Sequence, residues 1–390
     1  MLTMQRRRRV RESGGTMRIA VIAESFLPAV NGVSNSVVRV VDHLVKNGHE
    51  VMVIAPGPGP DEIHGVPVIR VKAFGLPTYG DVRIGLPVAR LVSALRSFRP
   101  DLVHLAAPAV LGAAGARAAR LLGIPTVAVF QTDLAGFAKR YRLGVAVPLL
   151  WAWLRSIHRG ADVTLAPSSA AAWTLSAHGI PRVARWTRGV DTGQFSPTHR
   201  CDELRRELAP NREIIVGFVG RLAKEKQVER LLPVTALPNV KVVIVGDGPE
   251  RHRLERLMPK ATFTGHLSGA DLGRHYAAFD VFAHTGLDET FCQAVQEALA
   301  SGVPVVAPAA GGPIDLVTHG HNGFLWSPEQ PEMLVGAIAQ LVENPLLRRT
   351  MGHAARKGVE GRTWDRVLGD LVDHYERVLD GRGVREWVAA

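Results

Sequence analysis

Two doubly wound α/β domains in tandem are the fold that three features of this 390-residue chain predict. Short, continuously apolar runs alternate with longer helical ones, the pattern of a parallel sheet covered on both faces. The alternation lapses near residue 191 and restarts near 213. A chain of this length with 46% hydrophobic residues is too long for one compact core. It suits two domains of about 150–200 residues each.

Taken in order, 18–23 (RIAVIA) reads as a buried strand, 34–47 as a helix and 50–55 (EVMVIA) as the next strand. Strand candidates follow at 68–71, 102–105, 126–130 and 162–166, with helices near 87–96 and at 111–122. In the second half the strand candidates are 213–219, 240–245, 261–264, 281–284 and 303–307. Helices intervene, and three more are expected near 331–343, 346–358 and 364–379. The turn cluster Gly189-Val190-Asp191-Thr192-Gly193 and the following Phe195-Ser196-Pro197 mark the boundary, placed within 191–213. The expected division is a basic tail (1–16) read as disordered, Rossmann-like domains at 17–195 and 196–370, and a C-terminal helix (371–390) with a return to the first domain as one option. Ligands of doubly wound sheets sit at the carboxyl ends of the strands. A cleft between two such domains is therefore the expected site.

The net charge of +11 is uneven. Residues 1–16 hold five Arg and one Glu, 17–195 hold 19 Lys+Arg against 10 Asp+Glu, and 196–390 hold 23 against 25. A basic first half points to an anionic partner: a membrane surface, a nucleic acid or a phosphorylated ligand. An Arg-rich genome is the plain alternative. The longest uncharged apolar stretch, 102–116, is shorter than the ~20 residues a membrane helix needs. Cys201 and Cys292 are too few for a disulfide framework or a four-thiolate zinc site, which makes the cytoplasm the default setting.

Several chemistries lack their signatures. No G-x-G-x-x-G follows a strand, no Gly-Lys dipeptide offers a phosphate loop, and no Asp-x-Asp offers a carboxylate pair for Mg²⁺. His319-Gly320-His321 has metal-compatible spacing, but Asn322-Gly323 follows at once and favours a surface turn. The remaining expectation is an enzyme that handles a charged ligand without a metal or cofactor.

Three segments carry chemistry. In the first, Glu289-Thr290-Phe291-Cys292-Gln293 runs into a helix expected at 292–300, with Glu297 about two turns along. Amides of Phe291, Cys292 and Gln293 would open that helix toward an anion. The two carboxylates, roughly 10 Å apart, suit one ligand touched at two places. A helix-start charge and a solvated glutamate explain them equally well. In the second, Gly220-Arg221-Leu222-Ala223-Lys224-Glu225-Lys226 follows the second domain's first strand, so Arg221 and Lys226 emerge where such sheets bind ligands. Two cations there neutralise a diphosphate. In the third, Asn31-Gly32-Val33 lies between the first strand and its helix, where Gly32 permits close backbone approach; a simple βα turn is the alternative.

With these residues in place the chain resembles retaining glycosyltransferases of the GT-B fold, family 4. Within that family it is most similar to GDP-mannose-dependent α-mannosyltransferases that build actinobacterial cell-envelope glycolipids. The similarity spans 17–380 and rests on Glu289-x₇-Glu297, Gly220-Arg221-Leu222-x-x-Glu225-Lys226, Gly189-Val190-Asp191-x₃-Phe195, Asn31-Gly32-Val33, Gly246-Asp247-Gly248-Pro249 and Gly311-Gly312. The resemblance implies a nucleotide-sugar domain at 196–370 and an acceptor domain at 17–195. It implies that Arg221 and Lys226 hold the donor diphosphate and, with Glu289, form the catalytic set. Glu297 would bind the ribose. Glu289 would contact the transferred sugar, with Thr290 and the amides of Phe291, Cys292 and Gln293 beside it. Gly32 would face the phosphates. Phe263-Thr264-Gly265-His266-Leu267 would border the base, with Asp247 nearby. Gln131-Thr132-Asp133 stands where many relatives have His-Thr-Asp, so Gln131 takes a place associated with the sugar's hydroxyls. Gln227 departs too, since glycine commonly follows the lysine.

The expected reaction moves mannose from GDP-mannose to a hydroxyl of a lipid-linked or glycolipid acceptor, with retention and without a metal. UDP-glucose as donor, or an inactive binding protein of the same fold, are the alternatives. A nucleic-acid partner is not expected, because no recognised module appears and only the tail is dense in Arg. The run 137–142 (FAKRYR), then 145–154 (VAVPLLWAWL), Arg155 and Arg159 suit either an interfacial surface on anionic lipid or a buried helix with a solvated rim. A cytoplasmic protein with peripheral contact at the membrane's inner face follows from the first of these.

Overall fold

The computed structural model describes residues 15–29, 31–76, 79–85, 88–136 and 147–381. Residues 1–14 of the expected tail (1–16), the cationic run 137–142 and the end of the expected C-terminal helix (382–390) lie outside the described residues.

In chain order the first half supplies β1 (Arg18–Ala23), α1 (Gly32–Lys46), β2 (Glu50–Pro56), β3 (Glu62–Ile63), β4 (Val66–Val71), β5 (Ala73–Leu76), β6 (Tyr79–Gly85) and α2 (Val88–Phe98). It continues with β7 (Leu102–Ala106), α3 (Leu111–Leu122), β8 (Thr126–Val129), α4 (Val147–His158), β9 (Val163–Ala166), α5 (Ser169–Ala177) and β10 (Val183–Arg185). Eight strands form one sheet in the order β10-β9-β8-β7-β1-β2-β4-β3, parallel except for β3 against β4. Alternation along β1 divides the core. Ile19, Val21 and Ala23 pack with α1, while Ala20 and Ile22 pack with α2 and α3 on the other face. The covering of both faces explains why the strands read as continuous apolar runs. β3, β10 and the β5–β6 hairpin lacked that signature and were not expected.

The second half supplies α6 (Asp202–Leu208), β11 (Ile214–Val219), β12 (Val240–Val245), α7 (Arg251–Leu257), β13 (Thr262–Gly265), α8 (Gly269–Ala278), β14 (Val281–Ala283) and α9 (Gln293–Ala300). β15 (Val305–Pro308), β16 (Gly323–Trp326), α10 (Glu332–Glu343), α11 (Pro345–Val359) and α12 (Trp364–Leu379) follow. Its six-stranded sheet runs β13-β12-β11-β14-β15-β16, all parallel. Strand order therefore reverses direction between β11 and β14, a topological switch point where α/β sheets bind ligands.

The last helix corrects one boundary. The segment that leaves the second domain starts at Trp364, not 371, because the Thr363 side chain caps the helix there. Along α12, Val367, Leu368, Leu371 and Tyr375 recur at helical spacing and are buried in the first domain's core beside α1. Trp186 Nε1 donates to the Val367 carbonyl at 2.8 Å, and Tyr375 Oη lies 2.7 Å from His104 Nδ1, all buried. Burial, and then the nearby Arg188, lower the His104 pKa to about 3, so the ring is neutral there. Outbound and returning chains touch where they cross: Val190 N–H donates to the Arg362 carbonyl at 2.9 Å. A Cβ on Gly189 would lie 2.5 Å from Trp364 Cα, so this crossing requires the glycine of the Gly-Val-Asp segment.

Leu371→Ala should destabilise the protein by about 2–5 kcal/mol, the usual cost of emptying a core leucine site. Asp373→Ala, on the exposed side of α12, should change stability by less than about 0.5 kcal/mol. Urea denaturation of both variants measures this.

Candidate active site

Three loops leave the carboxyl ends of adjacent strands at the switch point. The first, after β11, carries Gly220 to Lys226. The second, after β12, turns at Gly246 and meets the end of β13, with Gly246 N–H donating to the Gly265 carbonyl at 2.8 Å. The loops are stacked closely: a Cβ on Gly246, at φ +139°, would lie 1.9 Å from the Gly220 carbonyl oxygen. The third runs from His284 after β14 to the start of α9.

Lys226 and Glu289, on the first and third loops, meet at the switch point. The Lys226 ammonium hydrogen-bonds Glu289 Oε1, and His284 Nε2 lies 3.2 Å from the same oxygen. Burial alone would raise the Glu289 pKa. The Lys226 charge and the His284 ring outweigh it and hold the carboxyl far below the usual carboxylate range. Burial alone would lower the Lys226 pKa, and the charge of Glu289 outweighs it, so the ammonium is held above its ordinary value. Both groups are charged throughout the working pH range. The amino group keeps two further donors for a ligand.

Glu297, two turns into α9, sits differently. Its Oε2 accepts from Tyr276 Oη at 3.0 Å, and burial raises its pKa to about 7 despite that bond. The two carboxylates of the Glu-x₇-Glu segment are thus driven apart: one is fixed as an anion, the other titrates near neutrality. Environments that split a pair in this way assign the two groups different tasks.

Helix α9 begins at Gln293 rather than 292. Cys292 stands before it with φ 79° and ψ 73°, a left-handed conformation uncommon for a side-chain-bearing residue. Phe291 and Cys292 bury their side chains in the second domain's core, so backbone, not side chain, is what they offer a ligand. Burial and then the Glu289 charge push the Cys292 thiol pKa well up. Donor atoms of His284, Glu289 and Cys292 lie within 4.8 Å of one another, the one grouping of metal-ligand type among the described residues. A cation there would have to displace Lys226 from Glu289 and deprotonate a thiol that resists it.

The other expected residues are distributed as follows. Arg221 is exposed at the end of β11. Asp247 serves its own turn, accepting from Gly248 N–H at 2.7 Å and Arg251 Nη1 at 3.0 Å. Gly265 ends β13 at φ +78°, and His266 beyond it is exposed. At the mouth of the first sheet, Asn31 caps α1 by accepting from Val33 and Ser34 N–H at 3.0 Å. A Cβ on Gly32 would meet nothing within 4 Å, so protein packing makes no demand for glycine there. Across the seam between domains, Thr290 Oγ1 donates to the Gln131 carbonyl at 2.9 Å and Gln293 Nε2 to the Gly189 carbonyl at 3.0 Å. The Gln131 side chain accepts from Arg188, and its own Nε2 is buried without a partner.

Sequence reasoning missed His284, Tyr276 and Arg188. His284 was read only as the end of a strand. Tyr276, 21 residues before Glu297, carried no local signal. Arg188 had one: it is the sole charge between Trp186 and Val190, immediately before the recognised Gly-Val-Asp segment.

Two parallel α/β domains with cations and a buried carboxylate at the switch point define the GT-B class of glycosyltransferases. The comparisons agree. The family model "Glycosyltransferase Family 4" matches residues 30–194, and "Glycosyl transferases group 1" matches 201–358. A Mycolicibacterium smegmatis protein named GDP-mannose-dependent alpha-mannosyltransferase is 53% identical, covering 95% of this chain and 100% of its own. A Corynebacterium glutamicum protein of the same name is 45% identical over 93% of this chain and 89% of its own. Among solved structures, sucrose-phosphate synthase from Thermosynechococcus elongatus superposes with a TM-score of 0.77 at 21% identity, covering 94% of this chain and all of that one. Anabaena HepE in complex with UDP gives 0.74 at 24% identity, with 92% and 100% covered. The chain belongs to glycosyltransferase family 4.

Glu297 predicts a pH dependence. Its carboxyl is protonated up to about pH 7 in the folded protein but titrates near 4.5 when unfolded. Its contribution to stability is complete below about pH 4.5 and is lost as pH rises through 7, by up to about 3 kcal/mol. Denaturation of Glu297→Gln and the parent at pH 5 and 8 should show the variant free of this loss.

Proposed function

We propose that the chain transfers mannose from GDP-mannose, with retention of configuration, to a hydroxyl of a glycolipid acceptor, without a metal. One observation carries the donor assignment: proteins named for this donor and sugar are 45–53% identical over nearly the whole chain. These names do not favour UDP-glucose. A glycolipid acceptor is supported by a relative, 29% identical over 91% of this chain, named a phosphatidylinositol dimannoside mannosyltransferase.

In the proposed reaction the bond from mannose C1 to the β-phosphate oxygen breaks, and the acceptor oxygen bonds C1 on the same face. The acceptor's proton passes to the departing phosphate oxygen. Arg221 and Lys226 hold the diphosphate and stabilise the charge that develops on it. The amides of Phe291 and Cys292, just before α9, and of Gln293, which opens it, face the diphosphate near the positive end of the helix dipole. Glu289, fixed as an anion by Lys226, accepts from hydroxyls of the mannose and is a poor source of protons. Glu297, once ionised, accepts from the ribose hydroxyls. Gly32 faces the phosphates, Thr290 and Gln131 border the sugar, and Asp247, Gly265 and His266 border the base. The 17–195 segment serves the acceptor and the second sheet the donor.

The structure of α4 supports a peripheral membrane contact. Among the described residues, no helix is long and apolar enough to cross a membrane. One face of α4 (Trp151, Leu154, Ile157) is core, while Leu149 and Trp153, one turn apart, remain 73% and 47% exposed with the exposed Arg159 beyond them. The buried face answers to the core reading, and the exposed apolar pair supports the membrane reading.

Labelled GDP-mannose incubated with lipid extracts should yield labelled glycolipid. Arg221→Ala should lower turnover by about 10²–10³; turnover near that of the parent would refute its role. EDTA should leave the rate unchanged, whereas loss restored by Mg²⁺ would refute the metal-free reading. Leu149→Asp/Trp153→Asp should reduce sedimentation with phosphatidylglycerol vesicles while leaving the GDP-induced thermal shift intact. Equal sedimentation would remove the membrane contact.

A further inference from the structure

Arg188 is a buried cation without a buried anion. Its side chain packs over Trp186, with the guanidinium carbon 5.3 Å from the ring centroid, and the residue is 8% exposed. No carboxylate lies within ion-pair distance among the described residues. Its partners are neutral: Nη1 donates to Ser36 Oγ on α1, and Nη2 donates to Gln131 Oε1. Burial lowers its pKa only to about 10, so it remains charged at neutral pH. The backbone is held as well, since Gln296 Nε2 on α9 donates to the Arg188 carbonyl at 3.0 Å.

This contact settles a question about Gln131 that distances alone leave open. A carboxamide presents an acceptor on one side and a donor on the other, and a 180° flip exchanges them. A guanidinium has donors only. Against Arg188, the oxygen of Gln131 must face the arginine, and the amide nitrogen must face away. Gln131 Nε2 is then buried with no partner in the protein. An unmet buried donor is costly and is relieved when an acceptor arrives. Gln131 also lies on the seam, its carbonyl bonded to Thr290, the neighbour of Glu289.

We propose that Arg188 is a positioning residue: it fixes the Gln131 carboxamide with Nε2 as a donor for a hydroxyl oxygen of the transferred sugar. This rests on the transfer of mannose proposed above. Glu289 accepts from the sugar and Gln131 donates to it, so the sugar is read by one group of each kind from opposite domains. Arg188 makes that pairing permanent, where a free carboxamide would divide its time between two orientations.

The test compares GDP-mannose with GDP-mannose analogues each lacking one hydroxyl, using the full chain and four proteins: parent, Gln131→Met, Arg188→Met and Arg188→Lys. The parent should use one analogue about 10-fold less efficiently than GDP-mannose, the price of an unpaired donor. Gln131→Met and Arg188→Met should both lower kcat/KM for GDP-mannose and accept that same analogue almost as well as the full sugar. Lysine also only donates, so Arg188→Lys should recover much of the discrimination. GDP-induced thermal shifts of all four should remain similar. A folded Arg188→Met that keeps the parent's discrimination overturns the proposal and leaves Arg188 a packing residue. Should Arg188→Met not fold, Gln131→Met and Arg188→Lys decide: unchanged discrimination in the first, or its loss in the second, overturns it. A parent that transfers no mannose at all marks the failure of the underlying function instead.

Discussion

The Lys226–Glu289 pair is the constraint around which the second domain's ligand face is arranged. A carboxylate largely withdrawn from water is held as an anion by the cation against it, and the half-buried ammonium is held by the carboxylate in turn. Each residue lies on a loop from a different strand, 63 positions apart in sequence. Joining them fixes the two loops on either side of the switch point relative to each other. Thr285 Oγ1, donating to the Lys226 carbonyl at 2.6 Å, and Gly312 N–H, donating to the Glu289 carbonyl at 2.7 Å, fasten both backbones in turn. A rigid pair of this kind sets the position of its cation before any anion arrives, which is the condition the proposed diphosphate contact needs for useful electrostatic stabilisation.

The same reasoning extends across the seam. Donors on α9 and its preceding loop reach carbonyls of Gln131, Arg188 and Gly189 in the first half. Farther along, Asp315 accepts from Ser169 N–H at 2.6 Å and from Arg185 Nη2 at 2.9 Å. These contacts are polar and directional, so they orient the two domains relative to each other. They differ in kind from the attachment of α12, which is apolar and buried.

Sequence made the strands of both sheets legible, because strands covered on both faces are continuously apolar. Short edge elements were not. β16 has four residues, and the Gly323 that opens it is demanded by the Val305 carbonyl 2.1 Å from where a Cβ would stand, a contact no local pattern announces. The Glu-x₇-Glu and Arg221/Lys226 segments were visible as charges at loop positions. Their pairing was not, since only the fold decides that Lys226 answers Glu289 while Glu297 answers Tyr276. The destination of α12 stood only as one option for a related reason: an amphipathic stripe declares that a face will be covered, not by which domain.

That helix has a consequence for biogenesis. Chains emerge from the ribosome N-terminus first, and domains ordinarily fold in that order. Here the first domain's core includes side chains from 367 to 375. Its sheet emerges before the second domain, yet the patch around His104 and Trp186 stays uncovered until residues 367–375 have been made. The half of the molecule made first is therefore completed only after the second domain has been made.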